Sequence, residues 1–164
     1  MNARDTDEAP ERVEIGGAVY GSLLAASVVA GSAAGAPSSV ADLVVLLIST
    51  GVVFWIAHVY VRLVEHGLHP LTWRRIRAAG RADWPLAQAA FPPAMAAALA
   101  SVLGLSDSVA AWVALGVAVA TQVGWAVAAA VTVGSGKGVV VVSALTNLVL
   151  GLVVILLKTL VAGH

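Results

Sequence analysis

The stretch from Trp55 to His66, WIAHVYVRLVEH, places His58, Arg62, Glu65 and His66 within nine residues, at the end of the most apolar run of the chain. A histidine changes charge near neutral pH, from an unperturbed pKa of about 6.5, so beside an arginine and a glutamate it suits proton transfer or an ion entrance. At 100° per residue Gly51, Trp55, His58, Arg62, Glu65 and His66 fall on one face of a helix, with Tyr60 nearly opposite. Such a stripe avoids lipid, because a charge at the bilayer centre costs at least ~2.5 kcal/mol. It is expected to face the helix bundle or a wet cavity. Arg62, Glu65 and His66 lie close enough to the end of the run to reach headgroups by snorkelling, whereas His58 sits about two turns inside.

Other chemistry is thinly represented. His58, Glu65, His66 and His69 are metal-ligand types, but Gly67 and Pro70 end the helix before His69, and no metal site is assigned. Ser27, Ser49 and Ser143 lack the base and orienting carboxylate that serine nucleophiles need. The absence of cysteine excludes disulfides, thiolate catalysis and iron–sulfur clusters. The segment GSGKG, Gly134 to Gly138, has the look of a phosphate loop. That motif needs a Gly separated by four residues from the Gly-Lys pair and a Ser or Thr behind it, where this chain has Val131 and Gly138. A tight turn between two helices is the expected structure. No catalytic residue and no cofactor follow from these residues.

The helices that carry this stripe follow from composition. Of the 164 residues 60% are hydrophobic and 11% charged, too little polar surface to clothe a soluble globule. Nine basic and nine acidic residues cancel, and aromatic and basic residues are not interleaved as nucleic-acid binding requires. A helix crossing a hydrocarbon core of about 30 Å needs about 20 apolar residues, and roughly 13–35, 42–65, 84–105, 109–133 and 139–161 qualify. The expected fold is therefore all-α, an integral membrane bundle of five transmembrane helices forming one domain over 12–164. Residues 1–11 read as a disordered cytoplasmic tail; five acids against two arginines up to Glu14 argue against a cleaved secretory signal. The tail and the second and fourth connections carry the basic residues, and the first and third carry Asp42 and Asp107 instead. Every base except Lys158 then falls on one side, which predicts an inner-membrane protein with its N-terminus cytoplasmic and its C-terminus outside.

Between spans two and three, RRIRAAGR places Arg74, Arg77 and Arg81 opposite Trp73, Ile76 and Trp84. This predicts an amphipathic interfacial helix over about 70–82, with Arg74, Arg75, Arg77 and Arg81 on anionic headgroups of the inner leaflet. Span one carries Gly17, Gly21 and Ala25, a small-residue pattern that favours close packing, and is expected against span two. Matching depths then sets Glu14 near Arg62 and Tyr20 within hydrogen-bonding range of His58. A second polar stripe on span five holds Ser143, Asn147 and Lys158, and Gln122 on span four matches the depth of Asn147. Lys158 is expected to snorkel outward or to meet Asp42 or Asp107. Pro92 and Pro93 predict a kink in span three, with carbonyls freed near Gln88 and Ala89.

At FWIAHVYVRLVEH and DWPLAQAAFPPA the chain resembles a group of small multi-pass integral membrane proteins of GC-rich bacteria, which share the His-x-Tyr late in span two and the Trp-Pro opening span three. The resemblance covers most of the membrane region and implies the span count, with no particular activity, substrate or cofactor. Two functions fit these residues, the first better than the second. One is ion or proton-linked permeation through the cluster around His58; five helices are few to enclose a pore, so it implies a homo-oligomer. The other is a non-catalytic membrane module that stabilises a partner complex.

Overall fold

The computed structural model describes residues 4–32, 39–65, 72–132 and 134–162, with side chains from Gly17 to Leu160, and among them the chain is all-α without a strand. Its helices are α1 (Arg4–Gly31), α2 (Val40–Glu65), α3 (Trp73–Ala82), α4 (Trp84–Gln88), α5 (Phe91–Val102), α6 (Asp107–Thr132) and α7 (Lys137–Ala162). Among the described residues four segments are long and apolar enough to cross a membrane: Val40–Glu65, Trp84–Val102, Asp107–Thr132 and Lys137–Leu160. In α1 the apolar part among the described residues is the shorter Gly17–Gly31, and the expected span over 13–35 runs partly outside them. The backbone is already helical from Arg4, inside the stretch read as an unstructured tail.

Alanine builds the core. Helix α6 presents Ala110, Ala114, Ala118, Ala126 and Ala130 at multiples of four residues, all buried, and packs against α1, α5 and α7. Small side chains let backbones approach closely where no solvent drives helices together. Helices α2 and α7 are peripheral: each buries a few residues and turns a broad apolar face outward.

Helix α1 touches α2, but the glycines of its small-residue stripe make their close approach to a different neighbour. Its glycines face α4, the opening of the third span: a Cβ on Gly21 would stand 2.5 Å from the Leu86 carbonyl oxygen and 2.8 Å from Ala89 Cβ. From the other side a Cβ on Gly51 of α2 would stand 3.1 Å from Ala90 Cβ and 3.4 Å from the Ala87 carbonyl oxygen. The third span is thus wedged between α1 and α2. Depth along the membrane normal is readable from a sequence, whereas the direction in which a stripe points around the bundle is not.

The third span is two helices joined at Ala89 and Ala90. Pro92 and Pro93 occupy the first turn of α5, where a missing N–H costs least. They leave the Gln88 and Ala89 carbonyls without their usual helical donors four residues on, as the sequence led one to expect. GSGKG forms a turn: Gly134 has φ +67°, accessible to glycine without strain, and its N–H donates to the Val131 carbonyl at 2.9 Å.

Candidate functional site

The stripe on α2 faces inward over Gly51, Trp55, His58 and Arg62, with Tyr60 outward at 64% exposure. Its partners come from α3 and α4. The Trp55 indole N–H donates to the Gly80 carbonyl at 2.8 Å, and its ring meets Trp84 edge to face at 5.4 Å. Arg62 pairs with Asp83: Nε donates to Oδ2 at 2.9 Å and Nη2 donates to Oδ1. Asp83 is 7% exposed and is the joint residue between α3 and α4, with its own N–H bonded to the Ala79 carbonyl at 3.1 Å. A planar guanidinium gripping a buried carboxylate with two parallel bonds fixes orientation as well as charge. The pair therefore ties the end of α2 to the corner where the basic helix turns into the third span.

The acid that sequence reading assigned to Arg62 was Glu14, whose side chain lies outside the described residues. Asp83 was missed. The signal was present: Asp83 is the acid among the arginines of this connection, and it stands directly before the third span, at the depth of Arg62. Glu65 is exposed at the end of α2, and His66 and His69 lie outside the described residues.

Tyr20 does reach His58, as a tilted ring contact at 5.7 Å. The hydrogen bond of His58 goes elsewhere: Nδ1 is 3.0 Å from the Phe54 carbonyl oxygen. A carbonyl only accepts, so the proton sits on Nδ1, and in the neutral ring Nε2 is left as an acceptor. The expected Tyr20–His58 hydrogen bond is replaced by this local bond one helical turn back, which costs no alignment between helices.

On the other side of the bundle, Gln122 and Asn147 meet as predicted. Gln122 Nε2 donates to Asn147 Oδ1 at 3.3 Å and to the Asn147 carbonyl at 3.4 Å, Asn147 Nδ2 donates to the Ser143 carbonyl at 3.0 Å, and Ser143 Oγ donates to the Ala126 carbonyl at 3.3 Å. Gln122 is 1% exposed, and its Oε1 has no hydrogen-bond partner among the described residues.

Lys158 does not snorkel, and among the described residues it meets neither Asp42 nor Asp107. It is 5% exposed; its Nζ donates to the Val29 carbonyl of α1 at 3.4 Å and lies 5.0 Å from the centroid of the Trp112 ring. Val29 belongs to the last turn of α1, where carbonyls lack helical donors and the dipole is negative. An ammonium there caps the helix while the indole face shields it. Trp112, one turn and a half into α6, was not legible as its partner.

Helix α3 spans Trp73–Ala82, with Thr72 as N-cap accepting from the Arg75 N–H at 3.4 Å. Arg74, Arg75, Arg77 and Arg81 are all exposed, and Arg77 lies over the Trp73 ring at 5.7 Å. No three His, Asp or Glu side chains come together as a metal would require among the described residues.

Among the described residues these features define an all-helical chain with four segments able to cross a membrane and polar contacts at both ends of the bundle. No family model matches the chain, nor does any curated protein or solved structure.

Proposed function

We propose that this chain is a five-span inner-membrane protein acting as a non-catalytic module that organises a membrane assembly. The observation that carries the reading is the use of its intramembrane polar side chains. Arg62, Gln122, Ser143 and Lys158 each reach a neighbouring helix, or the joint at its end, and hold it. Ionisable groups in a conducting path face a cavity or one another in series; these instead act as pairwise adhesive. The apolar outward faces of α2 and α7 are then left for lipid, further copies of the chain or a partner.

On this reading α1 belongs to the first of five spans and α3 lies at the membrane surface, its arginines on anionic headgroups of the inner leaflet. The N-terminus is cytoplasmic and the C-terminus outside. Lys158 is the one base on the wrong side for this orientation, and its inward position as a cap on α1 supports treating it as structural. The test is extraction directly into native-lipid nanodiscs, followed by mass measurement. Particles holding several copies of the chain, or the chain with a stoichiometric partner, support an assembly module; particles of one chain alone refute it.

A second reading, proton-linked permeation, has a specific observation in its favour. His58 is half-buried about two turns inside α2, with Tyr20 against its ring and Nε2 directed away from its local bond. In a homo-oligomer these faces from several copies supply a polar path.

A further inference from the structure

A groove of about 360 Å³ opens where α2, α3 and α4 meet. Trp55 and Trp84, at 84° to each other, form its inner wall, and Trp73, 69% exposed, forms the outer one. Gly80 is the floor, since a Cβ there would stand 3.3 Å from Trp55 Cζ2 and narrow the space. The Trp55 N–H is already bonded to the Gly80 carbonyl, so this ring offers the groove its apolar surface. Arg77, held over Trp73, and Arg81 line the same groove, and among the described residues no carboxylate does. Two guanidinium groups beside a slot of three indoles complement one kind of molecule: an apolar chain ending in a phosphate. Indoles also settle at the depth where acyl chains meet headgroups.

We propose that this groove is a discrete binding site for one anionic phospholipid, its acyl chain against Trp55, Trp73 and Trp84 and its phosphate between Arg77 and Arg81. The inference rests on α3 lying at the membrane surface and goes beyond it. A basic helix attracts anionic lipid through all its charges alike, whereas a site depends on the two arginines at the slot. Arg74 and Arg75 belong to the same helix but do not line the groove.

The experiment measures quenching of tryptophan fluorescence in phosphatidylcholine nanodiscs containing a small fraction of a lipid with brominated acyl chains, either phosphatidylglycerol or phosphatidylcholine. The Trp73 signal is the difference between the native chain and Trp73→Phe. For the native protein, brominated phosphatidylglycerol is expected to quench Trp73 at least about threefold more strongly than brominated phosphatidylcholine at equal fraction. Arg77→Gln/Arg81→Gln should abolish that preference. Arg74→Gln/Arg75→Gln removes the same charge and should retain more than half of it. Gly80→Val, which fills the floor, should weaken quenching by both lipids with every arginine in place, and soluble glycerol phosphate should not compete. Equal loss in the two double variants would mean diffuse attraction to α3 and would overturn the site while leaving α3 at the surface. Absence of quenching by either lipid would remove α3 from the surface, and the site with it.

Discussion

Arg62 and Asp83 are joined by two parallel hydrogen bonds across the corner between the end of α2 and the start of the third span. Asp83 is nearly fully buried, so removing Arg62 leaves a carboxylate without its compensating charge. Arg62→Met and Asp83→Leu should each destabilise the protein by about 3 kcal/mol. Arg62→Met/Asp83→Leu, which removes both charges and keeps apolar bulk, should cost less than either single change. Thermal unfolding of the four proteins in one detergent forms the cycle. Additive losses would show that the two side chains act separately.

The close approach of α1 to α4 makes a second prediction. Gly21→Ala puts a methyl group 2.5 Å from the Leu86 carbonyl oxygen, a rigid backbone atom, so the helices must move apart. A loss of about 2 kcal/mol is expected, typical of overpacking. Gly116→Ala in the middle of α6 meets no heavy atom of a neighbouring element within 4 Å and should be neutral or stabilising by up to about 1 kcal/mol. Midpoints of thermal unfolding for the two variants should therefore move in different directions or by clearly different amounts.

Gln122 is a weaker adhesive than its burial suggests. Both its donor contacts are long, and Oε1 has no partner among the described residues. Gln122→Leu should change stability by less than about 1 kcal/mol, since the bonds lost are offset by relief of a desolvated oxygen. A loss above about 2 kcal/mol would imply that Oε1 is satisfied in the membrane by a donor such as ordered water.

Lys158 should behave as a cap. Lys158→Met is expected to cost about 1–2 kcal/mol, and Lys158→Glu more, because an anion then faces the negative end of α1. Trp112→Leu should cost less in the Lys158→Met background than in the native chain, because the cation above its ring is gone. Equal costs in both backgrounds would show that the ring contact contributes nothing.

Periodicity made the inward stripe of α2 legible, since 100° per residue fixes which side chains share a face whatever that face touches. The Gln122–Asn147 contact was legible because a short turn forces α6 and α7 to be antiparallel neighbours, so equal depth implies proximity. Equal depth fails where several helices surround one another. Gly17 and Gly21 were matched to α2 on depth and small size but meet α4, which stands at the same level. Arg62 was matched to Glu14 on the same ground, although Asp83 lies at that depth and is next to the third span's first turn. Lys158 was expected at lipid headgroups by length and position. The end of a neighbouring helix and an indole face supply it with a partner no carboxylate pattern in the sequence could reveal.

The most direct test of whether the intramembrane polar groups hold the bundle or conduct is proton and cation flux into proteoliposomes, from about pH 5 to 8, for the native chain and His58→Ala. An assembly module predicts no flux above that of empty vesicles, with His58→Ala lowering only the unfolding temperature. Flux that requires the protein and loses its pH dependence in His58→Ala would contradict it and assign His58 to a permeation path.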